Sequence, residues 1–377
     1  MKMRAAVLHE QGRARPFADS RPMTIEELDI EGPRADEVLI EMVAAGLCHS
    51  DLSTLQGHRL RRLPTVLGHE GGGIVREVGP GVGEIKVGDH VVLGPVLACG
   101  ECRDCLTGHP ALCTASQAAK SHGTMLDGTS RLSWDGREIF HTSGVSCFAE
   151  YSVASRFSLV VIDPDLPLAE SALFGCAVMT GVGAVVNTAR VPAGAAIAVV
   201  GLGGVGLSAI LGGTLAGAEK IVAVDVHDEK LSLAREIGAT HSFRASDENC
   251  AEAVRELTDG GVDFAFEMSG VTRGMKTAYD LLRRGGVMVT ASLPSAAEEF
   301  AFNAYDLVSG EKTVRGCYMG SCVPKRDIPR FLRMYKRGRL PVEKLMSAMI
   351  TLDDVNLGFD HLAEGRMARQ VIGFIGG

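Results

Sequence analysis

The sequence has no excess of positive charge, since 38 lysines and arginines stand against 46 aspartates and glutamates and the net charge is −8. A nucleic-acid surface needs clustered Lys and Arg to neutralise phosphates, so this composition argues against such a partner. Internal repeats and low-complexity segments are also lacking. With 46% hydrophobic and 22% charged residues, the chain has ordinary globular composition and is expected to fold throughout and to act on a small molecule.

Neither an export signal nor a membrane span is predicted. The uncharged runs between Met1 and Glu10 are too short to form the apolar core of an export signal. The uncharged stretch from Ala193 to Ala218 exceeds the roughly 20 residues that cross a bilayer, but its glycines divide it into a strand, a turn and a helix. We therefore expect a cytoplasmic protein with no membrane partner, whose clustered cysteines bind metal rather than form disulfides.

The length of 377 residues predicts two domains. The first third has short β-rich runs such as Glu37–Val43 and Gly88–Leu93, typical of a small barrel-like domain. From about residue 178, apolar strands alternate with helical stretches, as in βαβ units around a parallel sheet. The six strands predicted there, the number in a doubly wound dinucleotide fold, are Ala195–Val200, Lys220–Asp225, His241–Phe243, Val262–Met268, Gly286–Ser292 and Thr313–Met319.

The alternation of strands and helices stops after about residue 320. The segment Pro324–Gly338 predicts a basic amphipathic helix with a solvated charged face. The tail Arg369–Ile375 predicts a final strand that returns to the first domain.

A glycine-rich turn follows the first of the six strands and opens a helix. In this context the glycines of a G-x-G-x-x-G motif allow a tight turn, a close approach of a pyrophosphate and close helix packing. Asp225 ends the next strand, where a carboxylate accepts hydrogen bonds from ribose hydroxyls and repels a 2′-phosphate. The turn consists of Gly201, Leu202, Gly203, Gly204, Val205 and Gly206. Together with Asp225 it predicts NAD rather than NADP as the cofactor.

Two groups of potential metal ligands are present. Four thiols within one short polar segment match a closed tetrahedral zinc site, and they are Cys99, Cys102, Cys105 and Cys113. The second group is Cys48, His69 and Cys176, each of which alone would more often be a packed core residue. Together they are a Cys2His set, the type that holds a catalytic zinc with one open position.

Several segments carry a resemblance to the zinc-containing medium-chain alcohol dehydrogenases. They are Gly46–Asp51, the signature Gly68-His69-Glu70-x2-Gly73-x5-Gly79-x2-Val82, and Gly175–Gly181, with the four-cysteine segment and the glycine-rich turn in the same order. The resemblance implies an α/β protein with a GroES-like β-rich catalytic domain from residues 1–177 and 320–377, a structural zinc lobe at 99–113, and a Rossmann NAD-binding domain with a six-stranded parallel sheet at 178–319. Such proteins are usually homodimers or homotetramers. The layout between Cys113 and Tyr151 is closest to the class III, glutathione-dependent formaldehyde dehydrogenase branch, and Asp127–Arg131 is especially similar.

The resemblance also implies roles for individual residues. Two zinc ions would bind each subunit, the catalytic one at Cys48, His69 and Cys176, with the alcohol at its fourth position. Ser50 would take the alcohol proton, Asp51 would orient the ligand histidine, and Glu70 would lie behind the zinc. Further contacts to the cofactor would come from His49, Thr180, Lys230 and Arg369.

Two positions depart from the family pattern. Ser53 stands where many relatives end the proton relay in His or Tyr, so we consider His58 or a water chain for proton exit. Arg59 and Gln117 stand where glutathione-dependent relatives hold their charged substrate with an acidic residue and an arginine. Alignment gives an apolar substrate pocket that would accept a medium-sized or aromatic alcohol, lined by Pro95, Phe148, Leu293 and Tyr318.

The function expected from these features is reversible hydride transfer between a primary alcohol or aldehyde and NAD(H), catalysed by a zinc-dependent dehydrogenase. One alternative is a formaldehyde dehydrogenase that depends on a thiol such as glutathione or mycothiol. Another, of a different class, is a non-catalytic NAD- and zinc-binding sensor or structural protein. A homodimer is the expected assembly, with a homotetramer as the second choice.

Overall fold

The computed structural model describes residues 1–295, 297–365 and 367–374. Its contacts divide the chain into two units, of which the first contains Met1–Cys176, Cys322–Lys336 and the chain from Met346 onward. The second contains Ala177–Ser321 and Arg337–Leu345. The sequence predicts residues 1–177 and 320–377 in the first domain, but Ala177, Gly320, Ser321 and Arg337–Leu345 group with the second unit. In the last of these segments Leu340, Val342 and Leu345 are fully buried.

Eighteen strands are present in the described residues. Those of the first unit's leading segment are β1 (Lys2–Leu8), β2 (Met23–Ile30), β3 (Glu37–Gly46), β4 (Thr65–Val66), β5 (Gly71–Val78), β6 (His90–Leu93), β7 (Leu132–Trp134), β8 (Arg137–His141), β9 (Tyr151–Ser155) and β10 (Leu159–Ile162). The others are β11 (Ala196–Val200), β12 (Lys220–Asp225), β13 (His241–Arg244), β14 (Val262–Glu267), β15 (Leu282–Thr290), β16 (Thr313–Gly316), β17 (Met346–Ile350) and β18 (Arg369–Gly373).

Thirteen α-helices accompany these strands in the described part of the chain. They are α1 (Phe17–Ser20), α2 (His49–Leu55), α3 (Arg103–Leu106), α4 (Thr114–His122), α5 (Leu168–Ala172), α6 (Ala177–Gly183), α7 (Gly204–Ala216), α8 (Asp228–Glu236), α9 (Cys250–Leu257), α10 (Thr272–Asp280), α11 (Ala304–Ser309), α12 (Pro324–Lys336) and α13 (Val355–Glu364). A π-helical segment, Ala184–Ala189, follows α6, and the remaining helical turns are short 3-10 segments.

The first unit is built from a small closed barrel and a sheet. The barrel order is β1-β2-β7-β8-β4, and the sheet order is β10-β6-β5-β3-β18-β17, with β9 also paired to β3. Strand β18 pairs antiparallel with β3, so the chain does return to the first unit as predicted. The predicted end of that strand, Ile375, lies outside the described residues.

The second unit has one parallel six-stranded sheet in the order β13-β12-β11-β14-β15-β16. This is the order of a doubly wound dinucleotide fold, so the predicted fold class is confirmed. The central strands β11 and β12 are apolar runs buried on both faces, as expected where helices cover a parallel sheet. The sixth strand ends at Gly316 rather than at the predicted Met319, because Met319–Ser321 forms a helical turn.

Within the described residues, no single helix is both long and apolar enough to cross a bilayer. One bent pair of helices, Leu168–Gly175 with Ala177–Ala189, meets that requirement by length and composition alone. The uncharged segment from Ala193 to Ala218 instead forms β11, the glycine-rich turn and α7, as predicted.

Candidate active site

Three candidate metal ligands that are far apart in sequence lie together in the first unit. The ligand atoms of Cys48, His69 and Cys176 are all within 4.8 Å of one another, and all three side chains are buried. Two thiols and an imidazole are the donor types of a catalytic zinc site with an open fourth position. The residues therefore fit the predicted metal.

Two of these ligands are positioned by the end of one strand and the start of its neighbour. Cys48 lies just beyond β3, whereas His69 lies just before β5. The antiparallel pairing of Ala45 with Gly71 brings these two chain ends side by side. The register of β3 on β5 thus fixes the approach of the thiol to the imidazole.

The third ligand, Cys176, is positioned by a close contact between two backbones. A Cβ atom on the preceding residue, Gly175, would lie 2.1 Å from the carbonyl oxygen of Leu93, the last residue of β6. Because only glycine permits such an approach, the strand end and the turn before Cys176 stay in contact. A larger residue at 175 would displace the ligand.

The surroundings of Cys48 favour the thiolate form that a metal ligand requires. A hydrogen bond from the Cys176 thiol holds the pKa of Cys48 well below its usual value, although burial opposes this. The positive charges of Arg369 and His69 act in the same direction as the hydrogen bond. Metal ligands must be deprotonated to bind, so this environment prepares the site for a cation.

Asp51 fixes the orientation of the ligand histidine. Its Oδ1 atom lies 3.1 Å from His69 Nδ1 and also accepts a hydrogen bond from the Gly68 N–H at 3.3 Å. Only 1% of Asp51 is exposed. With Nδ1 engaged by the carboxylate, Nε2 of His69 is left for the metal, which is the arrangement that orients histidine ligands in metal sites.

We expect Asp51→Ala to weaken zinc binding at this site by about 10- to 100-fold, because the imidazole loses its orienting acceptor. Asp51→Asn, which keeps an acceptor oxygen but not the charge, should fall between the wild type and the alanine variant. Competition with a fluorescent zinc chelator measures the affinity. Asp165→Ala, at an exposed carboxylate, is the control, and equal affinities for the Asp51→Ala and Asp165→Ala proteins would contradict the assigned role.

A buried ion pair lies behind the ligands. Arg369 Nη1 is 2.9 Å from Glu70 Oε1 and donates a hydrogen bond to the Leu47 carbonyl oxygen at 2.7 Å. Both side chains are almost completely buried, and the expected place of Glu70 behind the metal stays a prediction. The contact of Arg369 with a cofactor pyrophosphate stays a prediction.

The candidate relay residues lie in or just after helix α2. Ser50 is half-buried in the first turn of α2, two residues after Cys48, and His49 is exposed beside it. The hydroxyl of Ser53 donates to the His49 carbonyl oxygen at 2.9 Å, so it is engaged by the backbone of its own helix. His58 is exposed in the loop that follows α2, and its part in proton exit stays a prediction.

The four-cysteine segment forms a second group of ligands. The four sulfur atoms lie within 4.8 Å of one another. The backbone N–H of Cys102 points at Cys99 Sγ, and that of Cys99 points at Cys113 Sγ. The backbone N–H of Cys105 is the main cause that lowers the pKa of Cys102 to about 6. Four convergent sulfurs that receive backbone N–H groups fit a closed structural zinc site.

The glycine-rich turn lies in the second unit, between β11 and α7. Gly201 has φ +90° and a Cβ there would be 2.6 Å from Ser269, whereas a Cβ on Gly206 would be 1.8 Å from the Gly201 oxygen. No heavy atom lies within 4 Å of the corresponding point at Gly203, so a phosphate has room to approach the backbone there. The turn and the start of α7 thus have the form that binds a pyrophosphate.

The carboxylate of Asp225 is held rigidly at the end of β12. It accepts hydrogen bonds from the backbone N–H groups of Leu202 (2.6 Å), Val226 (2.8 Å) and His227 (3.0 Å). These bonds keep an anionic group beside the turn, where it was predicted to meet the adenosine ribose. Lys230 is half-buried in α8 and Thr180 is buried in α6, and their cofactor contacts stay predictions.

The four predicted pocket residues have different environments. In the first unit Pro95 and Phe148 are buried, and in the second unit Leu293 and Tyr318 are 56% and 39% exposed. The Phe148 ring packs edge-on against Phe359 at 6.1 Å between centroids. Phe148 therefore contributes to the core of the first unit, and its contact with a substrate stays a prediction.

The two positions where glutathione-dependent relatives bind their substrate are also described. Gln117 is exposed on α4. Arg59 is half-buried in the loop after α2, and its carbonyl oxygen accepts a hydrogen bond from Gln11 Nε2 at 2.9 Å. Gln11 thus fastens this loop, and neither position supplies an acidic group.

Sequence reasoning missed Glu267, a buried acid at the end of β14. Its carboxylate accepts four hydrogen bonds close to the glycine-rich turn. The available signal was an acidic residue at the carboxyl end of an apolar strand. In parallel α/β sheets that edge is where ligands bind.

Comparisons with known proteins agree with this geometry. The profile of the "Alcohol dehydrogenase GroES-like domain" family matches residues 34–164, and that of the "Zinc-binding dehydrogenase" family matches residues 204–337. An S-(hydroxymethyl)glutathione dehydrogenase from Paracoccus denitrificans is 37% identical over 99% of this chain and 100% of its own length.

Solved structures give the same result. Benzyl alcohol dehydrogenase from Acinetobacter calcoaceticus is 34% identical with a TM-score of 0.92, and an alcohol dehydrogenase zinc-binding domain protein from Burkholderia ambifaria is 35% identical with a TM-score of 0.93. In both cases all of this chain and all of the other chain are covered. Each half of the chain thus matches its own family profile, and whole-length relatives share the architecture. The protein is an oxidoreductase of the zinc-dependent medium-chain alcohol dehydrogenase family, similar in layout to its class III branch.

Proposed function

We propose that the protein catalyses the reversible oxidation of a primary alcohol, medium-chain or aromatic, to the aldehyde with NAD. The observation that supports this most directly is the buried Cys2His cluster of Cys48, His69 and Cys176 with its orienting Asp51. A non-catalytic sensor would need neither an open ligand set nor an orienting carboxylate. The catalytic alternative is therefore favoured over the sensor.

The chain's own residues have distinct tasks in this reaction. When bound, zinc supplies a Lewis acid that makes the alkoxide accessible near neutral pH, and NAD supplies the hydride acceptor. Ser50, half-buried beside the ligands in sequence, would accept the alcohol proton. Asp51 keeps His69 in one orientation, and Asp225 would bind the adenosine ribose while excluding a 2′-phosphate.

A panel of aliphatic and aromatic alcohols tests the proposal, with NAD or NADP as cofactor and with or without a zinc chelator. Formation of NADH from primary alcohols that the chelator abolishes is the expected result, and metal analysis should give about two zinc ions per chain. A zinc-loaded protein that binds NAD but oxidises none of these alcohols would contradict the proposal.

A thiol-dependent formaldehyde dehydrogenase is the second candidate. The Paracoccus denitrificans relative, whose name includes a hydroxymethyl–glutathione adduct, favours it. Arg59 and Gln117 argue against glutathione as the thiol, because they replace the acidic residue and the arginine expected to bind its adduct. Formaldehyde oxidation that requires added glutathione or mycothiol would select this function.

We expect Asp225→Ser to lower the preference for NAD over NADP, measured as the ratio of kcat/KM values, by at least about tenfold, because a fixed carboxylate no longer repels the 2′-phosphate. Steady-state kinetics with both cofactors measure the ratio. Asp228→Ser, three residues later in the exposed first turn of α8, is the matched control. An unchanged ratio in the Asp225→Ser protein would remove this carboxylate from cofactor selection.

Location and assembly belong to the same proposal. A cytoplasmic homodimer, with a homotetramer as the second choice and with no nucleic-acid or membrane partner, is consistent with the family and with the net charge of −8. Light scattering after size exclusion measures the assembly.

A further inference from the structure

Glu267 is a buried carboxylate whose hydrogen-bond donors are all neutral. The backbone N–H groups of Ser269 (2.7 Å) and Gly270 (2.9 Å) and the Ser269 hydroxyl (2.7 Å) reach Oε1. The Thr290 hydroxyl reaches Oε2 at 2.7 Å. Glu267 itself is completely buried. A buried charge is costly unless it is hydrogen-bonded, so these donors and the carboxylate hold one another in place.

The hydrogen-bond network of Glu267 joins three structural elements at the carboxyl edge of the parallel sheet. Ser269 and Gly270 lie in the loop after β14, and Thr290 is the last residue of β15. Ser269 also packs on the first glycine of the turn, since a Cβ on Gly201 would lie 2.6 Å from its Cα atom. The carboxylate of Glu267 thus connects the loop, the end of β15 and the glycine-rich turn.

The sheet order decides which half of a dinucleotide this edge would meet. Asp225 ends β12 on one side of β11, whereas Glu267 ends β14 on the other side. In a doubly wound sheet the dinucleotide crosses the carboxyl ends of the strands at the point where the strand order reverses, here between β11 and β14. With the adenosine ribose at Asp225, the nicotinamide riboside would lie over the ends of β14 and β15.

We propose that Glu267 is a positioning residue for the nicotinamide half of the cofactor, acting through Ser269, Gly270 and Thr290. The inference rests on the proposed NAD-linked function. The carboxylate fixes backbone and hydroxyl groups that form the surface for the nicotinamide riboside, without itself contacting the adenosine half. Its loss should therefore affect the two halves of the cofactor unequally.

Binding of NAD and of AMP, measured by calorimetry on the zinc-loaded full-length protein, tests this asymmetry. Glu267→Ala should raise the Kd for NAD by about tenfold or more, because buried N–H groups lose their acceptor. The Kd for AMP should stay within about twofold of the wild-type value, since AMP occupies only the Asp225 side of the turn. Thr290→Val, which keeps the side-chain shape and removes one donor, should show the same pattern more weakly and serves if Glu267→Ala does not fold.

Two matched variants complete the experiment. Glu267→Gln should restore NAD binding, because its amide oxygen accepts from the Ser269 and Gly270 N–H groups while its nitrogen donates to Thr290 Oγ1. Asp225→Ala should weaken NAD and AMP alike. Equal losses of NAD and AMP in Glu267→Ala, unaltered NAD binding, or a Glu267→Gln protein as defective as Glu267→Ala would each overturn the positioning role. A wild-type protein that binds AMP but not NAD would overturn the proposed function as well.

Discussion

Replacing Cys176 by Ala is expected to abolish alcohol oxidation and to lower the zinc content from two ions per chain to one. Cys176 is one of three buried residues whose ligand atoms converge within 4.8 Å. Removing one of three protein ligands leaves too few donors to hold a catalytic zinc. Because such a metal is worth several kcal/mol in transition-state stabilisation, kcat/KM should fall by at least about a thousandfold.

The matched control for this experiment is Cys147→Ala. Cys147 is also a completely buried thiol of the first unit, but it lies outside both ligand clusters. This variant should keep both zinc ions and most of the activity, so any difference between the two proteins reports on the ligand set rather than on loss of a core thiol. A Cys176→Ala protein that still holds two zinc ions and oxidises alcohols would refute the zinc mechanism.

The parallel sheet of the second unit could be predicted closely because its strands β11 and β12 are mainly buried apolar runs. Such a run is what a strand covered on both faces requires. The prediction failed where pairing, not composition, decides the boundary: β15 begins at Leu282 rather than Gly286, because Leu282 pairs with Val262 across an irregularity in the register. Local sequence carries no signal for a partner of that kind.

The barrel of the first unit was harder to predict, since its strands are short and their partners distant in sequence. Strand β4 consists of Thr65 and Val66 alone, and it pairs with both β1 and β8. Two residues cannot display the period-two alternation by which a strand is recognised. A general barrel-like domain was therefore predictable, but its strand order was not.

The candidate site also has one part that could be predicted from sequence and one part that could not. The thiols of the four-cysteine segment are close in sequence, so their spacing alone indicated one site, and the structure brings their sulfurs together. Glu267 gave no comparable signal, because its donors Gly270 and Thr290 become neighbours only when β14 and β15 pair. Metal ligands within one loop can be predicted from sequence, whereas hydrogen-bond networks between residues of different strands cannot.

The largest expected effect on stability is at Arg131, whose side chain is completely buried. Its guanidinium forms two hydrogen bonds with Glu37, at 2.8 and 2.6 Å, and one with Asp127 at 2.7 Å. Removing one partner of a buried ion pair leaves an uncompensated charge, so Arg131→Ala should lower the free energy of unfolding of the first unit by about 3–5 kcal/mol. Urea unfolding followed by fluorescence of Trp134, the only tryptophan and a residue of the adjacent strand β7, measures this unit selectively.

Arg34→Ala supplies the control because Arg34 contacts the same Asp127 from the surface. Its side chain is 48% exposed and pairs with Asp127 at 3.2 Å, and exposed ion pairs contribute about 0–1 kcal/mol. If the two variants lost equal stability, burial would not be what makes the Arg131 network important. The double variant Arg131→Met/Glu37→Leu should recover most of the loss, since it removes both charges together.

The contribution of Arg131 to the free energy of unfolding should also decrease at acidic pH, in part because Asp127 becomes protonated. Burial tends to raise the pKa of Asp127, but hydrogen bonds from Thr129 and Arg131 outweigh it and lower that pKa to about 2 from the ordinary 3.8. A carboxylate with a depressed pKa stabilises the folded state above its unfolded pKa and loses that contribution as the pH falls through the folded value. The difference in unfolding free energy between wild type and Arg131→Ala should therefore be constant above about pH 5 and shrink between about pH 4 and pH 2. A difference that stayed constant over that acidic range would show that Asp127 does not share in the network.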